Sequence, residues 1–220
     1  MPAEFILLTS NPDEMKSCYP QSVLNTIVAF NGVPELTDDG QKLQLISKDL
    51  SVIDQMSYKD AMQFALLTNS IGVSLERVDY YRSSMDPGNW HSASSGSGFC
   101  TPGFENSQLS ESENSNSVLH IEPEIFSPDN DGNDDIVNIL YSFDKPGFVG
   151  NLFIFDSRGR QVKRIANNEL LACKGQFSWD GVSESGSAVQ PGIYIVLFEV
   201  FNLSGRTEKY KKICVVSRTR

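Results

Sequence analysis

The sequence predicts an all-β protein built from two β-sandwich domains in tandem. Three observations carry this. Short apolar segments with period-two alternation recur along the chain, bounded by Gly, Pro, Asn and Asp turns. No long helical pattern separates them, so the crossover helices that parallel sheets need are not expected. A polar stretch at residues 109–119 divides the chain into halves that each carry their own large apolar groups. The 220 residues suffice for two ordinary domains, and 13 Phe, 7 Tyr and 2 Trp suffice to fill their interiors.

In the first domain, residues 1–108, residues 5–9 read as a short core strand. Asn11 then caps a short helix running to about Tyr19. Pro12 suits its first position, Glu14 can close a capping box, and Pro20 stops it. Residues 22–30 are apolar and read as strand or helix, broken at Asn31-Gly32. The Asp38-Asp39-Gly40 turn leads into a strand at 42–47, which a second strand at 52–58 rejoins as a hairpin. Leu43, Leu45, Ile53 and Met56 are its core candidates. Residues 60–67 are weakly helical or loop, and 72–78 form another strand with Val73, Leu75 and Val78 facing inward. Residues 83–107 are rich in Gly, Ser and Pro, with Trp90, Phe99 and Phe104 as plugs over the rim. Trp90, with Tyr80 and Tyr81, is alternatively an exposed ligand platform.

Residues 109–119 hold two glutamates among Ser and Asn, too little apolar surface to offset ordering, and read as a linker. The second domain, 120–220, opens on an acidic turn at 126–136. Strands follow at 136–143, 150–156, 161–165, 177–180, 191–201 and 207–216, joined by turns such as Arg158-Gly159 and Ser204-Gly205. Leu152 and Ile154 share one face of their strand, Phe153 and Phe155 the other. Trp179 is the expected core pillar, and Tyr194 packs with Val196 and Phe198.

The charge is uneven. Residues 1–108 carry 13 acids against 6 bases, whereas residues 120–220 carry 13 against 12. An acidic front half argues against a nucleic-acid role, which needs clustered positive charge. Residues 206–220 hold six bases and one acid, and Lys209, Lys211 and Lys212, in a strand-like segment, read as solvated edge charges. No apolar run approaches the ~18 residues of a transmembrane segment. The first nine residues lack the basic start and apolar length of a signal peptide. Cys18, Cys100, Cys173 and Cys214 show no Cys-x-x-Cys spacing, which argues against a zinc site. Bridges 18–100 and 173–214 are permitted, and four buried free thiols are the alternative.

Asp129, Asp131, Asn133, Asp134 and Asp135 concentrate hard oxygen donors within seven residues. They could hold Ca2+, though not as an EF-hand, because Leu140 stands where the twelfth-position glutamate would be. The competing reading is a set of Asx-turns in which these side chains cap their own backbone and Gly132 takes a positive φ. For catalysis only His91 and His120 exist. His91 lies among Ser92, Ser94 and Ser95, and a nucleophilic pair there would need an orienting third group. Glu14, Glu76 and Glu105 have no spacing that fixes two acids at a glycosidase separation.

Two resemblances follow from these residues. The Leu8 to Pro12 segment, the strand from Gly72 to Arg77, Asn89 to Ser92 and Thr101 to Ser107 occur in the order of a bacterial lamin tail domain, Bacteroidetes type, whose first strands have no counterpart here. The chain's second half resembles the immunoglobulin-like domain of the flagellar hook-assembly cap protein. The same kind of domain closes many Bacteroidetes surface proteins exported by type IX secretion. The matching residues are Phe126 to Pro128, Asp131 to Asp134, Phe155 to Gly159, Trp179 to Gly181 and Pro191 to Tyr194, with Asp129-Asn130 where the pattern more often has Asn-Gly. The resemblances imply two immunoglobulin-like sandwiches and an extracellular or outer cell-surface location. They imply a non-enzymatic structural or interaction protein, its last domain read in export or anchoring. A carbohydrate- or surface-ligand-binding module is the rival reading, and a non-catalytic appendage of a larger secreted hydrolase is the third. The expected partner is a protein or the cell envelope. An open sheet edge near the N-terminus would also favour pairing with a second copy.

Overall fold

Asn11 starts a helix as its side chain predicts. Its Oδ1 accepts from Glu14 N at 3.2 Å, its Nδ2 donates to the Glu14 carboxylate at 2.8 Å, and Pro12 occupies the first turn of α1 (Pro12–Cys18). The computed structural model describes residues 5–20, 27–110 and 118–217, in which the chain divides into two compact units, Met1–Leu109 and Ser110–Arg220. The central part of the expected linker (111–117) and the first part of the apolar segment 22–30 lie outside the described residues.

In the first unit, α1 connects two short strands, β1 (Leu7–Thr9) and β2 (Ile27–Ala29), which pair in parallel. β3 (Gln41–Ile46) and β4 (Val52–Tyr58) form the expected hairpin, with Leu43 opposite Met56. β5 (Leu75–Arg77) pairs antiparallel with β6 (Trp90–Ser92). Each of these three sheets has two strands.

Among the described residues of this unit the buried apolar side chains are Phe64, Val78 and Ala93. Leu45 and Ile53, expected in the core, are 56% and 62% exposed, because among the described residues no further strand joins the hairpin's two-stranded sheet, while Leu43 and Met56 are half-buried. Phe104, expected as a plug, is also exposed. Polar groups hold the interior instead. Glu76 accepts from the Thr101 and Ser107 hydroxyls and from Gln108 N. The Asn89 side chain accepts from Asp79 N and donates to the carbonyls of Asp79, Arg82 and Ser83.

The second unit carries the aromatic core. Its strands are β7 (Leu119–Glu122), β8 (Ile125–Phe126), β9 (Val137–Ser142), β10 (Phe148–Asp156), β11 (Gln161–Leu170), β12 (Lys174–Trp179), β13 (Gly192–Asn202) and β14 (Thr207–Val216). They form a five-stranded sheet, β11-β10-β13-β14-β8, and a three-stranded sheet, β12-β9-β7. Alternation selects the buried face: Leu152 and Ile154 of β10, Val196 and Phe198 of β13, and Val137 and Ile139 of β9 are all fully buried in one cluster. Trp179 stands among them, edge-on to Phe126 and Tyr194, with its Nε1 donating to Val182 O at 2.9 Å.

The expectation of an all-β chain of two closed immunoglobulin-like sandwiches is overturned. The fold is mixed α/β with several small open sheets. A well-capped helix sits between β1 and β2 and supplies the crossover that lets them run parallel. A second parallel pair joins β8 to β14. The two permitted disulfides are not formed, and Cys18 is exposed, contrary to the alternative of four buried thiols. Among the described residues no helix is long and apolar enough to cross a membrane.

Candidate functional site

The acidic turn is suspended between β8 and β9. Phe126, 1% exposed, anchors its entry against Trp179, and Ser127 N donates to Asp134 O at 2.9 Å to close the loop. Inside that closure the carboxylates turn inward on the backbone. Asp129 Oδ1 accepts from Asp131 N, Asp131 Oδ1 accepts from Asn133 N, and the two Asp135 oxygens accept from Asn130 N and Gly132 N at 2.6 and 2.8 Å. Asn130, Gly132 and Asp134 take positive φ, which Gly adopts freely and Asn and Asp tolerate better than most residues.

One carboxylate oxygen each from Asp129, Asp131 and Asp135 lies within 4.8 Å of the other two. Asp129 and Asp135 are half-buried, while Asp131 is exposed. Asp129 Oδ2 is buried and accepts no hydrogen bond. A buried carboxylate oxygen without a partner is costly, and a cation among the three carboxylates would satisfy it. The donor set is hard oxygen, suited to Ca2+ or Mg2+ rather than to a thiophilic metal. The cluster could therefore chelate a divalent ion. Of the five residues read from sequence, three converge. Asn133 and Asp134 are exposed and contribute here through their backbone.

The three aromatics of the expected ligand platform lie in the first unit. Trp90 is half-buried, donates from Nε1 to Ser84 O at 2.9 Å, and lines an open cleft of about 740 Å³ with Leu43, Met56, Val73 and Leu75. Tyr81 is fully exposed. The Tyr80 hydroxyl is buried without a hydrogen-bond partner, and burial pushes its pKa up. No ring contact joins the three among the described residues.

The histidines are held in other ways. His91 packs on the Phe64 ring at 5.1 Å, its Nδ1 meets Ser92 O at 3.0 Å, and burial pulls its pKa down. The adjacent Ser92 hydroxyl donates to Gln63 Oε1 and accepts from Phe64 N. His120 is exposed beside Glu122 at 3.5 Å. The Glu76 and Asn89 clusters had no signature in the sequence, because their partners lie 25 to 32 and 6 to 10 residues away with no periodicity to mark them.

No protein-family model matches the chain, and no curated protein matches it. Among solved structures it is similar to dimeric latent PorU from Porphyromonas gingivalis, at 17% identity and a TM-score of 0.36, covering 46% of this chain and 9% of that one. It is similar to FlgD from P. aeruginosa at 22% identity and 0.31, covering 37% and 62%. It is also similar to PorZ, an essential surface component of the type-IX secretion system of Porphyromonas gingivalis, at 21% identity and 0.33, covering 52% and 13%. The chain thus spans less than two thirds of each, and a likeness of this extent defines neither family nor function.

Proposed function

We propose that the chain is a non-enzymatic structural or interaction protein of an extracellular or cell-surface setting, with a second unit that serves in export or anchoring and an acidic loop that takes Ca2+. Two observations carry the calcium reading: one carboxylate oxygen each of Asp129, Asp131 and Asp135 lies within 4.8 Å of the other two, and Asp129 Oδ2 is buried without a hydrogen-bond partner. Motifs from Phe126 to Tyr194 that resemble those of hook-cap and type IX export domains support the surface setting. Support for a non-catalytic role comes from how the reactive groups are used: the Ser92 hydroxyl bonds Gln63 and the Phe64 amide, and Glu76 is engaged by two hydroxyls and an amide.

The cation reading is tested by melting the full chain in EDTA and in millimolar Ca2+ or Mg2+. Ligand at about 100 times its Kd stabilises by about 2.7 kcal/mol, so the second unit's melting temperature rises in Ca2+, and Asp131→Ala removes the rise. An unchanged transition in Ca2+ ends the reading. The setting is tested separately by protease shaving of intact cells that make the protein. Release of its peptides supports an outer-surface location, and their retention until lysis contradicts it.

A further inference from the structure

The two edges of β14 are unlike. Along its whole length, Thr207–Val216, it pairs with β13, from Thr207 opposite Phe201 to Val216 opposite Gly192. Asn202 N donates to Arg206 O, so the even-numbered residues of β14 turn their N–H and C=O groups toward β13. The odd-numbered residues turn theirs to the other edge. There β8 reaches only Val215 and Val216, and Val215 N donates to Glu124 O. Among the described residues no strand pairs along this edge from Thr207 to Ile213, which leaves the backbone groups of Thr207, Lys209, Lys211 and Ile213 as an open ladder. Beside it lies a groove whose apolar lining is Ile121 of β7, Ile125 of β8, and Ile213 and Val215 of β14 itself.

Charge says what fits. Lys209 pairs with Glu199, and Arg206 with Glu208. Lys211 and Lys212 line the groove with His120 and a single carboxylate, Glu124, and neither lysine has an ion pair among the described residues. A second copy of β14 docked edge to edge would set lysines against lysines, which disfavours self-pairing. We infer that this edge takes an extended, acidic strand of a partner protein by strand addition. Backbone bonds to the odd-numbered residues would hold it, and apolar side chains on one face of the added strand would enter the groove. Carboxylates on its other face would meet whichever of Lys211 and Lys212, which point to opposite faces of β14, lies on that side. This rests on the interaction role proposed above and names the class of partner; it requires no cation in the Asp129 loop.

The test uses the full, 15N-labelled chain in EDTA, titrated with a seven-residue peptide alternating Val with Glu and Asp. Two controls are the same peptide with Lys in place of the acids and a version N-methylated at alternate residues. The acidic peptide should slow amide exchange at Thr207, Lys209, Lys211 and Ile213 by about tenfold or more, leaving the β11 edge unchanged. The basic and N-methylated peptides should not. Replacing both exposed lysines, Lys211→Glu with Lys212→Glu, should weaken binding by about tenfold. The proposal is overturned if the acidic and basic peptides bind alike, if the N-methylated peptide binds as well, if protection falls elsewhere, or if nothing binds at millimolar concentration. The peptide controls leave the protein unaltered, so the outcome does not hang on the folding of the variant. A missing Ca2+ response or peptides retained until lysis would count against the proposed function while leaving this titration to stand or fall alone.

Discussion

His91 sits with its ring on Phe64 and its charge state constrained by burial, and that arrangement has a consequence in solution. Desolvation lowers its folded-state pKa below the unfolded value of about 6.5. Between the two values the unfolded chain binds more protons, so stability rises with pH through that window. The contribution of a neutral His91 is fully present above about pH 6.5 and is lost as the pH falls toward the folded value. The first unit should therefore melt at lower temperature at pH 5 than at pH 7, and His91→Gln should flatten that difference; an equal slope in the variant would refute the assignment. Packing in the second unit is as specific. A Cβ on Gly150 would lie 2.8 Å from Leu171 Cδ1 and 2.9 Å from Phe198 Cε2, both on buried residues. Gly150→Ala should thus cost about 1–3 kcal/mol through crowding, measured by denaturant titration of the Trp179 signal.

At the scale of elements, legibility followed the strength of the local signal. The helix at Pro12–Cys18 was readable because Asn11, Pro12 and Glu14 act within one turn. The β3–β4 hairpin and β9, β10, β13 and β14 were readable from alternation bounded by turns. What alternation could not supply was the partner surface. It marks Leu45 and Ile53 as inward, yet both are exposed among the described residues. It also gave no sign that β1 and β2 pair in parallel across a helix, since parallel pairing is a property of two distant segments. The acidic loop was legible as a cluster of donors, but the convergence of Asp129, Asp131 and Asp135, and the exclusion of Asn133 and Asp134, depend on positive φ at Asn130, Gly132 and Asp134. The difference between alternation and burial is measurable. Ile53→Thr, on the exposed hairpin, should change stability by no more than about 0.5 kcal/mol. Ile139→Ala, fully buried in β9, should cost about 2–5 kcal/mol.

For the whole molecule, the two units differ in what holds them. In the second, aromatic and branched side chains from both sheets share one cluster, including Trp179, Phe126, Phe198 and Ile139. In the first, the described residues form three two-stranded sheets with few buried apolar groups, and the buried polar residues Glu76, Asn89, Ser92 and Ser94 are tied by hydrogen bonds. Burial of apolar surface supplies most folding free energy and sets the steepness of denaturant unfolding, whereas a hydrogen bond contributes only about 0.5–1.5 kcal/mol net. Unfolding of the chain should therefore depart from a single two-state transition, with the first unit lost at lower denaturant. Each unit has its own reporter, Trp90 in the first and Trp179 in the second. With Trp179→Phe the fluorescence change should track the early transition, and with Trp90→Phe the later one. Coincident midpoints for the two reporters would mean that the units unfold as one body and that the sparse apolar interior of the first is not its limit.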